Sequence, residues 1–344
     1  MSRVTTARTR QPGVPGVRFH DHHPTPADLR EEVLVGLAAT PKHLSPKFFY
    51  DHRGSRLFDA ITELPEYYLT RTEIDILVAH GAEMAEHLGR GQVLVELGSG
   101  SSRKIQVLLS ALAPSVYVPV DISREHLLAS AETLARRFPG LCIEAVCADY
   151  SGPFTLPLDA GWGRPAAFFP GSSVGNFGPA SAARLLRRVA AVLGVGGRLL
   201  IGVDLVKDLA VLEAAYNDAQ GVTAEFNLNL LARINRELGA DFDLGAFVHQ
   251  ARFNPAPDPA LVGGPGRIEM HLISTRDQQV RVAGRVFDFG EGEDIHTESS
   301  YKYDLAGFRR LAAEAGFHTE AVWTDSGARF SVHCLRVGTP PAAP

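Results

Sequence analysis

The run Val93-Leu94-Val95-Glu96-Leu97 leads straight into Gly98-Ser99-Gly100-Ser101-Ser102, and Val116-Tyr117-Val118-Pro119-Val120-Asp121 follows. The first apolar run reads as a buried strand entering a glycine turn, with a helix starting near Lys104. The second reads as a buried strand ending on a carboxylate, 23 residues beyond Gly98. Strand, turn, helix, strand and acid in this order form the start of a parallel βαβ sheet with a nucleoside site. The glycines let backbone approach a ligand, and Asp121 can accept from both ribose hydroxyls.

The absent residues narrow the ligand. Dinucleotide sites use Gly-x-Gly-x-x-Gly, whose third glycine brings the helix N-terminus to a pyrophosphate. Here Gly98 and Gly100 are followed by Ser101-Ser102-Arg103. Glu96, just before the turn, would repel a diphosphate but could accept from an ammonium group. S-adenosylmethionine has an amino-acid tail and no phosphate, so it is expected over NAD, with a nucleotide dehydrogenase as the second reading. No Gly-x-x-x-x-Gly-Lys-Ser/Thr sequence occurs, so a P-loop is not expected.

The 344 residues are 45% hydrophobic and 21% charged, which is the composition of a globular protein. A net charge of −5 gives no global electrostatic case for nucleic acid. No apolar run approaches the roughly 20 residues of a membrane span, and no secretory signal is evident, so a cytoplasmic protein is expected. Cys142, Cys147 and Cys334 fall in expected strands and read as reduced core cysteines. Cys142 and Cys147, five residues apart, should point to opposite sheet faces. Without Cys-x-x-Cys or His-x-x-x-His spacing, no metal site is expected. His20, His22 and His23 sit in a segment, 1–26, read as a disordered leader without function.

A helix is expected over 28–39, a glycine turn at Gly54, helix 56–61, and helix 72–87 capped by Thr70 or Thr72. Strands 92–97, 115–121, 141–148, 165–170 and 197–205 then alternate with helices 102–112, 124–137 and 180–193. That alternation implies a doubly wound, mostly parallel α/β sheet with right-handed crossovers. The rhythm breaks afterwards. Residues 208–240 look helical, 254–266 form a Pro/Gly-rich loop, and strands near 267–274, 279–289 and 294–303 suggest an antiparallel sheet. Helix 304–315 and strands 317–324 and 328–337 return to the first sheet. The expected division is an N-terminal segment at 27–65 packing on the substrate domain, a first domain at 66–207 completed by 304–338, and an inserted α+β substrate-binding domain at 208–303.

Ligands in such sheets bind at the strands' carboxyl ends. Beyond Asp121, those ends carry Asp149-Tyr150 and the loop from Gly171 to Asn176. Asp149 could accept from an adenine amino group with Tyr150 against the ring, or equally cap a turn. Lys104 could reach the methyl donor's carboxylate. Asn176 both donates and accepts, which suits an amino-acid substrate.

Beyond these positions, Tyr50-Asp51 with Gly54-Ser55, Leu64-Pro65-Glu66-Tyr67-Tyr68-x-Thr70-Arg71-Thr72-Glu73, Gly171-Ser172-x-x-Gly175-Asn176 and Gly202-x-Asp204-Leu205-Val206-Lys207-Asp208 form an ordered series. Ala215-Tyr216, Arg267-Ile268-Glu269-Met270 and Thr297-Glu298-x-Ser300 continue it. From about residue 28 to 337 the chain resembles the histidine-specific Nα-methyltransferases of ergothioneine biosynthesis.

The resemblance implies a class I S-adenosylmethionine-dependent fold and trimethylation of L-histidine to hercynine. It places Tyr50 near the substrate amine through water and Gly171 as a carbonyl to that amine. Asn176 and Tyr216 would hold the substrate carboxylate. Tyr67, Glu298 and Ser300 would frame the imidazole, and Met270 would line the pocket. Gly98, Lys104, Asp121, Asp149 and Tyr150 would bind the methyl donor, with Tyr67 bordering both ligands. A relative acting on tryptophan-derived amines would not need an acid at 298 and would want a smaller residue at 270, so histidine is favoured. A binding module without catalysis is a third reading, against which the intact set of site residues speaks. The expected partner is a small molecule, with no nucleic acid or membrane, and the chain is expected to act as a monomer.

Overall fold

The computed structural model describes residues 16–22, 26–100, 102–152, 154–255 and 265–339. Most of the Pro/Gly-rich 254–266 loop, and His23, lie outside them. The main sheet contains β1 (Val17–His22), β3 (Val93–Leu97), β4 (Val116–Asp121), β5 (Cys142–Ala148), β6 (Pro165–Phe169), β7 (Arg198–Asp204), β13 (Phe317–Thr324) and β14 (Phe330–Val337). Their order is β1-β5-β4-β3-β6-β7-β14-β13. The first six run parallel and β14 is antiparallel to both neighbours.

Strand alternation builds a core on each face. Leu94, Tyr117, Ile143, Phe168 and Leu200 join one cluster with α3 (Tyr68–Leu88), α4 (Arg103–Leu112) and α5 (Arg124–Arg137). Val95, Val118, Val146, Phe169 and Ile201 join the other with α6 (Pro179–Leu193) and α9 (Leu305–Glu314). Cys147 packs in the first cluster and Cys142 against the second, as their spacing predicts, and all three cysteines are free. The fold is the doubly wound sheet of class I methyltransferases.

The segment between β7 and α9 supplies a second sheet. It holds β8 (Phe247–Asn254), β9 (Arg267–Ser274) and β12 (Asp294–Tyr301), all antiparallel neighbours, with β2 (Lys42–His43) pairing parallel to β12. A separate hairpin, β10 (Gln278–Val282) and β11 (Arg285–Phe289), occupies the range expected as one strand. Strand β8 was not foreseen. The expected helical stretch 208–240 divides into α7 (Leu209–Ala214) and α8 (Val222–Leu238), the latter packing on β8 and β9. Helices α1 (Pro26–Ala38) and α2 (His52–Thr62) precede α3, and α2 lies against α8.

Three expectations are corrected. Gly54 lies inside α2 rather than in a turn, because Asp51 caps that helix by accepting from the Gly54 N–H at 2.7 Å. Thr70 and Thr72 are buried within α3, which starts at Tyr68 without a side-chain cap. Residues 17–22 are not a disordered leader but the edge strand β1. Its Arg18 Nε donates to Glu144 Oε1 at 2.6 Å and His20 Nε2 lies 2.8 Å from Glu144 Oε2. Burial would raise the Glu144 carboxyl, but bonds from Arg18 and His20 outweigh it and hold the group below its ordinary value.

A carboxyl lowered on folding adds stability above its unfolded pKa, near 4.3, and loses it as pH falls through the folded value. Removing Arg18 and His20 together leaves a buried acceptor unpaired, an expected loss of about 1–3 kcal/mol at pH 7. Urea unfolding should give that gap between wild type and R18A/H20A, closing towards pH 3. An unchanged midpoint at pH 7 would remove β1 from the fold's stability.

Candidate functional site

Eight of the residues singled out by sequence line one pocket of about 50 Å³. Tyr50 comes from the N-terminal segment, Tyr67 from the residue before α3, and Gly171 and Asn176 from the loop after β6. Tyr216 follows α7, while Met270, Glu298 and Ser300 stand on β9 and β12. Met270 and Glu298 are cross-strand partners. Alternation turns Glu298 and Ser300 to the same face of β12.

Three phenols surround the cavity. Burial, reinforced by nearby carboxylates and, for Tyr50 and Tyr67, by other tyrosines, pushes Tyr50, Tyr67 and Tyr216 well above their ordinary values, so each stays neutral and can donate. Burial also pushes Glu298 up to about 7, against the opposing pull of Lys302. Asn176 Nδ2 donates to Glu298 Oε2 at 3.2 Å, and the Tyr216 hydroxyl donates to Ser300 Oγ at 2.8 Å. The wall therefore combines an acid of adjustable charge with neutral hydroxyl and amide donors.

The residues read as nucleoside-binding gather at the ends of β3, β4 and β5. Asp121 Oδ2 accepts from the Gly100 N–H at 3.1 Å and Oδ1 from the Ser123 N–H at 2.8 Å. Burial raises this carboxyl while the backbone bonds pull it down. Gly98 adopts φ +71°, and a Cβ there would sit 3.2 Å from the Tyr150 hydroxyl. That backbone-lined turn leaves close access to a ligand and suits a nucleoside without phosphates. Asp149 Oδ1 accepts from the Ser151 N–H at 2.8 Å, and Lys47 lies 3.0 Å from Oδ2. Burial opposes but does not overcome those contacts, which hold Asp149 below its ordinary value. An open cleft of about 930 Å³ adjoins this region, bordered by Ser123, Arg56, Arg124 and Arg236.

Glu96 departs from its reading as an ammonium acceptor. It is 1% exposed and accepts from the Tyr117 hydroxyl, with burial raising it well above the carboxylate range. Position 96 shares the sheet face of Leu94, so the side chain enters the α3–α4 side.

Three residues were missed as site components. Glu73, fully buried on α3, accepts from the Gly171 N–H at 2.8 Å and pairs with Lys104 at 2.7 Å. It thus pins the loop after β6, where Gly171 has φ +76°. Lys302 Nζ, also fully buried, reaches Tyr216 and Ser300. The period-two pattern linking Glu298 to Ser300 extends to position 302 and could have flagged it. Lys47, on a turn beside Phe48, has no such signal.

The chain matches the family described as "Histidine-specific methyltransferase, SAM-dependent" over residues 29–337. It is 45% identical over 311 residues to the histidine N-alpha-methyltransferase of Mycobacterium tuberculosis, covering 88% of this chain and 93% of that one. The corresponding protein of Mycolicibacterium smegmatis is 43% identical over 310 residues, with the same coverage, 88% and 93%. Ergothioneine biosynthesis protein 1 of Neurospora crassa is 33% identical over 86% of this chain, which spans 33% of that longer protein. With its folded length covered by one family and two near-full-length relatives, the chain belongs to the histidine-specific, S-adenosylmethionine-dependent methyltransferases.

Proposed function

We propose that this enzyme methylates the α-amine of L-histidine to the trimethylated betaine hercynine, at the first step of ergothioneine biosynthesis. The observation that carries this reading is the pocket itself, where Glu298, Ser300, Asn176 and Tyr216 meet around a volume walled by Tyr50, Tyr67 and Met270. Histidine is a zwitterion carrying an imidazole. Asn176 and Tyr216 are assigned to its carboxylate, and Glu298 and Ser300 to the ring. Tyr67 borders both ligands. Tyr50, through water, and the Gly171 carbonyl are assigned to the amine, holding its lone pair towards the methyl donor.

S-adenosylmethionine supplies a sulfonium-activated methyl group. Asp121 is assigned to its ribose, Asp149 and Tyr150 to its adenine, and Gly98 and Lys104 to its amino-acid end. What the protein adds is alignment, worth about 7–11 kcal/mol in favourable cases. Neutral, electron-rich oxygens and rings of Tyr50 and Tyr67 also suit the cation that accumulates on nitrogen. We further propose that the chain acts as a monomer in the cytoplasm, with residues 208–303 and the 27–65 segment as the substrate-binding part.

Asp121→Ala should weaken S-adenosylhomocysteine binding by about 1–3 kcal/mol, the cost of losing hydrogen bonds to a charged group. Calorimetry finding unchanged affinity, or tight NAD binding by the wild type, would sink the cofactor-site assignment.

The carboxylate clamp makes a separate prediction. Asn176→Ala should raise KM for histidine at least tenfold with S-adenosylhomocysteine affinity within twofold. Histamine lacks the carboxylate, so initial rates with it should be far below those with histidine; equal rates refute the clamp.

Glu298 gives a pH-dependent outcome. Its folded value of about 7 exceeds the unfolded value near 4.3, so burial of the protonated form is fully tolerated below pH 4. Stability is then lost as pH rises through 7. In the ligand-free protein Glu298→Gln should therefore stabilise by about 1–3 kcal/mol at pH 8 and much less at pH 5, while histidine turnover collapses at both. Thermal melts showing no pH-dependent difference would place Glu298 in water rather than in the cavity wall.

A further inference from the structure

Lys302 sits just past β12, fully buried, with its ammonium nitrogen 2.9 Å from the Tyr216 hydroxyl, 2.7 Å from Ser300 Oγ and 2.9 Å from Asp204 Oδ2. An ammonium has three protons and no lone pair, so these three acceptors use all of them. Both hydroxyls that face the cavity thus already accept a charge-assisted bond from the rear. Ser300 Oγ also accepts from the Tyr216 hydroxyl at 2.8 Å, so Lys302 and Tyr216 together fill both of its lone pairs. Towards a ligand, Ser300 can only donate.

Glu298 stands two residues before Ser300 on the same strand face, and as a carboxylate it only accepts. The ring-facing wall is therefore polarised, with an acceptor at 298 and a donor at 300. A neutral imidazole meets it in one tautomer, its N–H on Glu298 and its bare nitrogen on Ser300. An imidazolium carries two N–H groups and would set one against a hydroxyl that cannot accept.

We propose that Lys302 is a positioning residue for specificity: by occupying, together with the Tyr216 hydroxyl, the acceptor side of Ser300, it restricts the site to an uncharged imidazole in a single tautomer. This rests on the histidine reading of the cavity. Asp204 holds Lys302 in place, and its other oxygen lies 2.6 Å from Lys207.

The test compares histidine with 3-(pyrrol-2-yl)alanine and 3-(pyrrol-3-yl)alanine at one fixed pH. Each pyrrole keeps one ring N–H and replaces the other ring nitrogen with C–H. Wild type should prefer histidine over both by on the order of 100-fold or more in kcat/KM, as sites built on a polar contact do. In Lys302→Met that preference should fall at least tenfold, with S-adenosylhomocysteine affinity within twofold of wild type. Ser300→Ala should lose the same preference, and the double variant should lose no more than either single one. If Lys302→Met fails to fold, the Ser300→Ala comparison still decides. A Ser300→Ala enzyme with the wild-type preference overturns the proposal, as does a folded Lys302→Met enzyme that keeps it. Equal loss on histidine and pyrroles makes Lys302 merely structural and also overturns it. Wild type that methylates pyrroles as well as histidine refutes only this inference, whereas wild type inactive on histidine refutes the underlying reading too.

Discussion

The carboxylate of Asp204 ties the parts of this protein together. It ends β7, has no exposed surface, and accepts from the Tyr68 hydroxyl at 2.8 Å while pairing with Lys207 and Lys302. Its backbone is equally committed: its N–H donates to Ser172 Oγ at 2.9 Å, and its carbonyl accepts from the Tyr303 N–H at 3.1 Å. One residue thereby joins α3, the main sheet, the loop after β6 and the chain leaving the second sheet. Desolvating one carboxylate and two ammonium groups costs several kcal/mol per ion before their attraction offsets it. Such a cluster adds little net stability over an apolar one. It adds geometry, since removing Asp204 would leave two buried ammonium groups without their counter-charge. Ser172, held at φ +57° beside it, is a non-glycine residue in the left-handed region, a conformation that needs surrounding structure to enforce it.

How much of this could be read from the chain follows from the range of the interactions involved. The strands of the main sheet and their helices were legible because their signals are local: apolar runs, glycine turns and helical periodicity within a few residues. The edge strand β1 was not, because its six residues gain a reason to be extended only from β5 and from Glu144, more than 120 positions away. Strand β8 was missed for the same reason; only β9 beside it, and α8 over it, define it as a strand. The side chains lining the cavity were found through ordered motifs, whereas Glu73 and Lys302 went unassigned because partners define their roles. An acid in a helix becomes a loop anchor only when Gly171 lies opposite. Glu96 shows the reverse failure: strand parity places it towards Tyr117, and the glycines that follow suggested a role at the strand end.

Two carboxylates illustrate how environment divides labour. Asp121 and Glu298 are both raised by desolvation, yet Asp121 accepts two backbone N–H groups that favour its charged form. Glu298 has one amide contact at 3.2 Å and a lysine beyond it, and it rises to about 7. The first is therefore a fixed acceptor built into a turn. The second gains its strongest reason to ionise from a ligand that brings an N–H. In the proposed reaction this couples substrate binding to the charge of the cavity wall, because the ring's proton and the acid's proton compete for one position.

Among the described residues that border the small pocket or the neighbouring open cleft, Tyr50 borders both. Its ring packs edge-on against Phe58 at 5.7 Å and Phe226 at 5.9 Å, which fixes its orientation from two helices, α2 and α8. Helix α2 is itself held by Asp51, whose carboxylate accepts from Gly54, Asn229 and Arg236. Asn229 and Arg236 belong to α8, so the cap that starts one helix also docks it on the other. The partition between the two volumes is therefore no more rigid than the α2–α8 contact. Any motion that opens the cavity at this point must move Tyr50 against both aromatic neighbours or separate those two helices.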